Sequence, residues 1–285
     1  MTFMGYSMRR FLVGILLFLT IMTTLFYFRG SDVQKMRNIE LLEEKVANFD
    51  KDCLVVFDVD KTLITPIDPM FYLKSLSSKF WRSFYYILMT GDVFFRNLVE
   101  HYKNGHFTVK FELVDPGMPD LIKGLQGKGV KVIALTSCPT GMHKQVGKIE
   151  DWRIKHLLSF GIDFTKAFPD QGDMLFTSFS QTRPSLFKDG ILFANGYAAK
   201  KGPLLAAFLE RIGWRPREVV FVDDSAKWVR SVEKSMKELD IKCTGLQYVA
   251  ADRFSKDMSR ASIKLKIQSL IEHGRWVPSV QASSQ

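Results

Sequence analysis

The stretch LVVFDVDKTLIT, residues 54–65, decides how the rest of the chain is read. Four apolar residues, Leu54 to Phe57, run into Asp58; Val59 separates it from Asp60, and Lys61 and Thr62 follow. An unbroken apolar run suits a parallel strand covered on both faces. Residues two apart along a strand point to the same side. Just past the strand end, Asp58 and Asp60 are therefore expected to face one pocket while Val59 faces the core. Two carboxylates held this close repel each other and need a cation or a shared proton.

Three more runs read as strands: VKVIALT (130–136), EVVFVDD (218–224) and IKCTGLQYV (241–249). Helical stretches separate them. One is DLIKGLQGKG (120–129), which ends at a glycine stop. Others are KIEDWRIKHLLSFG (148–161), KKGPLLAAFLERIG (200–213) with Pro203 near its start, and SAKWVRSVEKSMKELD (225–240). DMLFTSF (173–179) and GILFANG (190–196) read as two strands paired with each other. Strands alternating with helices predict an α/β fold with a doubly wound parallel sheet. Ligands in such sheets sit beyond the carboxyl ends of the strands. Asp58, Asp60, Thr136, Asp223 and Asp224 all fall at such ends. Singly, an Asp is common in turns and at helix N-caps. Three or four carboxylates at one sheet edge instead suit a hard divalent cation with oxygen ligands, most simply Mg²⁺.

The ordered set resembles the haloacid dehalogenase-like (HAD) superfamily of phosphohydrolases. VVFDVDKTL carries that superfamily's D-x-D-x-T motif, VIALT its strand ending in Thr or Ser, KKGPLLAAFL its helix-initial Lys, and VVFVDDS its strand ending in paired acids. The likeness runs over residues 54–240. The segment GILFANGYAAKKG and the leader also resemble an uncharacterised bacterial HAD-like family with N-terminal export signals. The resemblance implies a Rossmann-like core and a set of roles. Asp58 is the nucleophile that forms an aspartyl-phosphate. Asp60 is general acid for the leaving group and then general base for water. Thr136 binds a phosphoryl oxygen. The motif lysine is Lys200 or Lys201; Lys201, directly before Gly202, is preferred. Mg²⁺ is held by Asp58, Asp224 and the backbone carbonyl of Asp60, with Asp223 as a further candidate ligand. Asp60 points to a phosphatase or phosphomutase, because dehalogenases lack this second acid. Thr62 reads as a local hydrogen-bonding residue that shapes the turn, not as a catalyst.

The 285 residues include 46% hydrophobic ones, ordinary for a globular protein. A net charge of +10 suggests anionic partners, here a small phosphorylated substrate or a membrane surface. Nucleic acid is not expected, since there is neither zinc-finger spacing nor a long basic run. Cys53, Cys138 and Cys243 are too few and too scattered for a disulfide scaffold. CPTGMHK, from Cys138, places Lys144 where a cysteine phosphatase loop needs Arg, and no GxxxxGK[ST] loop exists.

The N-terminus differs in kind. Arg9 and Arg10 precede an uncharged, mostly apolar run from Phe11 to Phe28, followed by Arg29. The run is long enough for a membrane helix and lacks a good cleavage site, which favours an uncleaved anchor over a signal peptide. Localisation is expected to be exported or membrane-anchored, at the inner membrane or periplasm if the source is Gram-negative. Flanking positive charges leave the orientation open. The expected organisation is a signal or anchor (1–31), a linker helix (32–50), a catalytic core (51–65 and 113–274), a small helical cap inserted after the first strand (66–112) and a flexible tail (275–285). Such a cap excludes water and selects substrate. Its Phe71, Tyr72, Trp81, Phe84 and Tyr85 mainly fill a small core of their own; Lys74, Lys79, Arg82 and Arg96 read as a solvated face able to steer anions. A phosphotransferase or mutase using the same intermediate, and a non-catalytic membrane-tethered binding protein, are the alternatives to a phosphatase.

Overall fold

The computed structural model of the chain describes residues 33–67, 110–196 and 199–256. The expected leader (1–31), the bulk of the expected cap (68–109) and everything from 257 lie outside the described residues. Among the described residues, no helix is long and apolar enough to cross a membrane. The chain divides into two units, 1–34 and 35–285, and the site lies in the second.

In chain order the first elements are β1 (Gln34–Met36), α1 (Glu40–Val46), β2 (Cys53–Phe57), β3 (Ile64–Pro66), β4 (Phe111–Leu113), α2 (Met118–Gly127) and β5 (Lys131–Thr136). A short hairpin of β6 (Met142–His143) and β7 (Gly147–Lys148) leads into α3 (Ile149–Ser159). Then come β8 (Met174–Phe176), β9 (Ser185–Lys188), β10 (Ile191–Phe193), α4 (Lys201–Ile212), β11 (Glu218–Asp223), α5 (Ala226–Glu238), β12 (Lys242–Tyr248) and α6 (Asp252–Lys256).

Eight strands make one sheet in the order β1-β12-β11-β2-β5-β10-β9-β8. Every pairing from β12 across to β10 is parallel. The last two strands are added antiparallel. The fold is thus mixed α/β with a mostly parallel sheet, compatible with a Rossmann-like fold. The strand carrying Asp58 lies between β11 and β5, so the chain reverses its direction of travel across the sheet about β2. A crevice forms at such a reversal, beyond the carboxyl ends.

All five residues of β2 are buried, as its apolar run requires. Cys53, Val55 and Phe57 join a core cluster with Leu42 and Val46 of α1 and Ile122 and Leu125 of α2. Leu54 and Val56 are fully buried outside that cluster, so both faces of the strand are covered.

Two expectations are corrected. Residues 32–50 are not simply a linker: Met36, Leu42, Val46 and Phe49 belong to the core cluster. Leu42, Val46 and Phe49 repeat at helical spacing, and the sheet is what that face buries against. Nor do the two strands predicted within 173–196 pair with each other. Ser185–Lys188 forms an extra strand between them, pairing with Met174–Phe176 on one side and Ile191–Phe193 on the other. The turn that makes this possible is Asp189-Gly190, with φ of 48° and 77°. Two consecutive positive φ values are what a tight two-residue hairpin turn demands, and Asp-Gly supplies them.

Strands β3 and β4 pair antiparallel from Ile64↔Leu113 to Pro66↔Phe111, and the Ile67 N–H donates to the Lys110 carbonyl at 3.0 Å. The two ends that flank residues 68–109 are therefore held side by side, shortly after the Asp58–Asp60 turn.

Candidate functional site

Asp58 continues β2 by one residue, its N–H donating to the Val222 carbonyl of β11 at 2.8 Å. That bond holds the ends of the two strands level, so Asp58 and Asp223 emerge side by side. Lys201, in the first turn of α4, reaches between them. Its Nζ donates to Asp58 Oδ1 at 2.5 Å and to Asp223 Oδ2 at 2.7 Å. The lysine side chain is 1% exposed and the two carboxylates 7% and 0%. Asp224 adds a third acid: oxygens of Asp58, Asp223 and Asp224 all lie within 4.8 Å of one another.

The reach of Lys201 depends on its neighbour. A Cβ on Gly202 would stand 2.0 Å from the Ser231 carbonyl oxygen, so α4 approaches α5 this closely because residue 202 has no side chain. Gly202→Ala is expected to lower stability by about 1–3 kcal/mol, since backbone has to move. Gly127→Ala, which meets nothing within 4 Å, is expected to be neutral or to raise stability by up to about 1 kcal/mol. Urea unfolding midpoints of the two variants check both.

Thr62 makes the local bond expected of it and a long-range one besides. Its hydroxyl donates to Asp58 Oδ2 at 3.3 Å and accepts from the Asp224 N–H at 3.1 Å. Asp58 is thereby held from both oxygens, by Lys201 and by Thr62. Asp223 Oδ1 accepts from the Ser225 N–H at 2.8 Å, and Gln247 Nε2 donates to the Asp224 carbonyl at 3.0 Å.

Three carboxylates around one ammonium leave an excess of two negative charges. Burial accordingly pushes the Asp58 carboxyl up to about 7, against the pull of the Lys201 ammonium and with the help of Asp223. Burial raises Asp223 as well, again against Lys201. Asp224 is pushed up to about 6 by burial and then by the Asp58 charge. Lys201 is raised: desolvation opposes its charge, but the two carboxylates outweigh it. A hard divalent cation among the three acids would supply the two missing positive charges, and the donor set is all oxygen, so these residues fit such an ion.

The remaining expected residues fall as follows. Thr136 ends β5, the strand next to β2, and is fully buried; its hydroxyl oxygen accepts from the Cys138 N–H at 3.0 Å. Asp60 lies two residues beyond Asp58, with its Oδ1 bonded to Arg153 Nη2 at 3.0 Å. Lys200 is exposed at the N-cap of α4, outside the acid cluster. The Cys138 thiol is pushed up to about 11 by burial, against the attraction of Arg153, which keeps it neutral and a poor nucleophile.

Arg153 is the residue that sequence reasoning missed. Its signal was present: it lies four residues after Ile149 and four before Leu157, both buried, so the helical period puts it on the buried face of α3.

Residues 35–272 match the model of the family described as "Protein of unknown function (DUF2608)". The chain is also similar to an uncharacterized protein of Rickettsia bellii (strain RML369-C). The two are 25% identical over 264 residues, covering 85% of this chain and 84% of that protein. The uncharacterized protein RP296 of Rickettsia prowazekii (strain Madrid E) is 21% identical over 238 residues, covering 83% and 84%.

Proposed function

We propose that this chain, which belongs to the DUF2608 family, is a Mg²⁺-dependent HAD-type phosphatase that hydrolyses a phosphomonoester through an aspartyl-phosphate on Asp58. One observation carries the reading: a buried lysine shared by the carboxylates of two neighbouring strand ends, with a third carboxylate within 4.8 Å. Phosphoryl transfer asks chiefly for positioning and charge neutralisation, and this cluster offers both. Thr62 and Lys201 fix the Asp58 carboxylate, so a nucleophile is held at the edge where the sheet order reverses.

In the proposed reaction an Asp58 oxygen forms a bond to phosphorus as the bond to the leaving oxygen breaks. Asp60 passes a proton to that oxygen. A water molecule then attacks phosphorus, gives its proton to Asp60 and releases phosphate, restoring the Asp58 carboxylate. Thr136 and Lys201 are assigned to the phosphoryl oxygens. Asp58, Asp223, Asp224 and the Asp60 carbonyl are the residues that would hold Mg²⁺, and the chemistry such an ion supplies is neutralisation and alignment of the phosphoryl group.

The doubly wound HAD core and the cap belong to the same proposal. The β3–β4 pairing supports it, because it brings together the two ends of residues 68–109, shortly after Asp60, where the resemblance implies a cap. Export or membrane anchorage rests on residues 9–29, which lie outside the described residues.

The test is hydrolysis of a chromogenic phosphomonoester by the full chain. Activity is expected with Mg²⁺, with a loss of at least about 100-fold in EDTA and recovery on adding Mg²⁺ back. Hydrolysis indifferent to the chelator contradicts the proposal.

A further inference from the structure

We infer that Arg153 is a positioning residue that aims Asp60 at the leaving group, an inference that rests on the function proposed above. Arg153 is 3% exposed, while Asp60 is 34% exposed on the turn after β2. Proton transfer asks that the carboxylate be held in one orientation toward the leaving oxygen. Arg153 supplies one such restraint. Its Nη2 donates to Asp60 Oδ1 at 3.0 Å. The guanidinium itself is fixed by two rings, standing 4.9 Å from the centre of Trp152 and 5.8 Å from that of Phe111.

Stability alone does not account for this arginine. A buried ion pair contributes little to folding, because desolvation offsets the attraction. Here Nε and Nη1 are also buried without a hydrogen-bond partner among the described residues, a further cost. The hydrogen bond from its Nη2 goes to the one carboxylate assigned to proton transfer. Arg153 also comes from α3, an element separate from every strand end that forms the acid cluster, and among the described residues its hydrogen bond to Asp60 is made without one to Asp58, Asp223 or Lys201.

The test compares two esters on the same protein preparations. An alkyl phosphate expels an alkoxide that needs a proton, whereas 2,4-dinitrophenyl phosphate expels a phenolate that does not. kcat/KM is the quantity to follow, because it covers steps up to departure of the leaving group and excludes the later activation of water. In Arg153→Met and in Arg153→Lys, kcat/KM for the alkyl ester is expected to fall by about 100-fold, and that for the dinitrophenyl ester by less than about 5-fold. The ratio of the two does not depend on how much of a preparation is folded, so a destabilised variant still gives an answer. Asp60→Asn is expected to move the ratio in the same way, and adding Arg153→Met to it to move the ratio no further.

Equal proportional losses on both esters overturn the role of Arg153 while leaving the phosphatase reading intact. If Asp58→Asn hydrolyses both esters as fast as the wild type, the reading and this inference fall together.

Discussion

Asp58→Asn is expected to lower kcat/KM for phosphomonoester hydrolysis by at least about 10³-fold, the scale at which removing a covalent nucleophile disables a catalytic unit. The fold is expected to survive the change. Asparagine has nearly the same shape, and burial already opposes the charge of Asp58, holding its carboxyl up at about 7. Lys201 keeps its bond to Asp223, so the ammonium is not left unpaired. The metal-free variant is therefore expected to unfold at the same temperature as the metal-free wild type or slightly above it. Loss of activity with loss of structure would point to a different role for Asp58. A loss of less than tenfold in folded protein would remove it as nucleophile.

Lys201→Met is expected to have a different signature, lowering stability as well as turnover. The substitution leaves the carboxylates of Asp58 and Asp223, 7% and 0% exposed, without their shared ammonium. Stranding buried charge in this way costs about 3–5 kcal/mol. The sign of the pH dependence follows from the direction of the shifts. Burial raises both acids above the ordinary carboxylate value. In the variant, which lacks the lowering pull of Lys201, the native state can relieve its repulsion by taking up protons. That relief is fully present below the unfolded-state value, roughly pH 4, and is lost as pH rises through the raised native values. The stability deficit against wild type should therefore be least near pH 4 and greatest above about pH 7. Denaturant titrations at several pH values measure it. Lys200→Met, at the exposed N-cap, is expected to change stability by no more than about 0.5 kcal/mol.

The parts of the site that could be read in the sequence are those that local pattern determines. Val55, Val56 and Phe57 are apolar without interruption because β2 is buried on both faces, and such a run has to stop where the sheet meets solvent. Asp58 and Asp223 are found at those stops, and the parallel pairing of β2 with β11 brings them level. Lys201 was preferred to Lys200 only by resemblance, for the glycine that follows it; Lys201 is the one that reaches Asp58 and Asp223, and that glycine is what allows α4 to approach Ser231.

What escaped is of two kinds. Ser185–Lys188 was overlooked although Asp189-Gly190 is a strong hairpin signal. The surrounding run of Ser, Thr, Arg and Pro hid a four-residue strand. Thr62's bond to Asp58 is local, but its bond to Asp224 and that of Arg153 are not local patterns at all. Thr62 binds the Asp224 N–H, 162 positions away, and Arg153 binds Asp60, 93 positions away. No periodicity encodes a partner at that distance. The buried face of α3 could have marked Arg153 as unusual, but only the folded chain identifies Asp60 as the group it serves.

The most direct measurement is to mix the full chain with a phosphomonoester and Mg²⁺, quench in acid within the first turnovers, and locate phosphate on the digested protein. Acid preserves an acyl phosphate while stopping its hydrolysis. The predicted result is one phosphoryl group on the peptide containing Asp58, formed as fast as the alcohol is released and absent from Asp58→Asn. Alcohol released with no phosphoryl group on the protein, or with the group on another residue, would contradict the account.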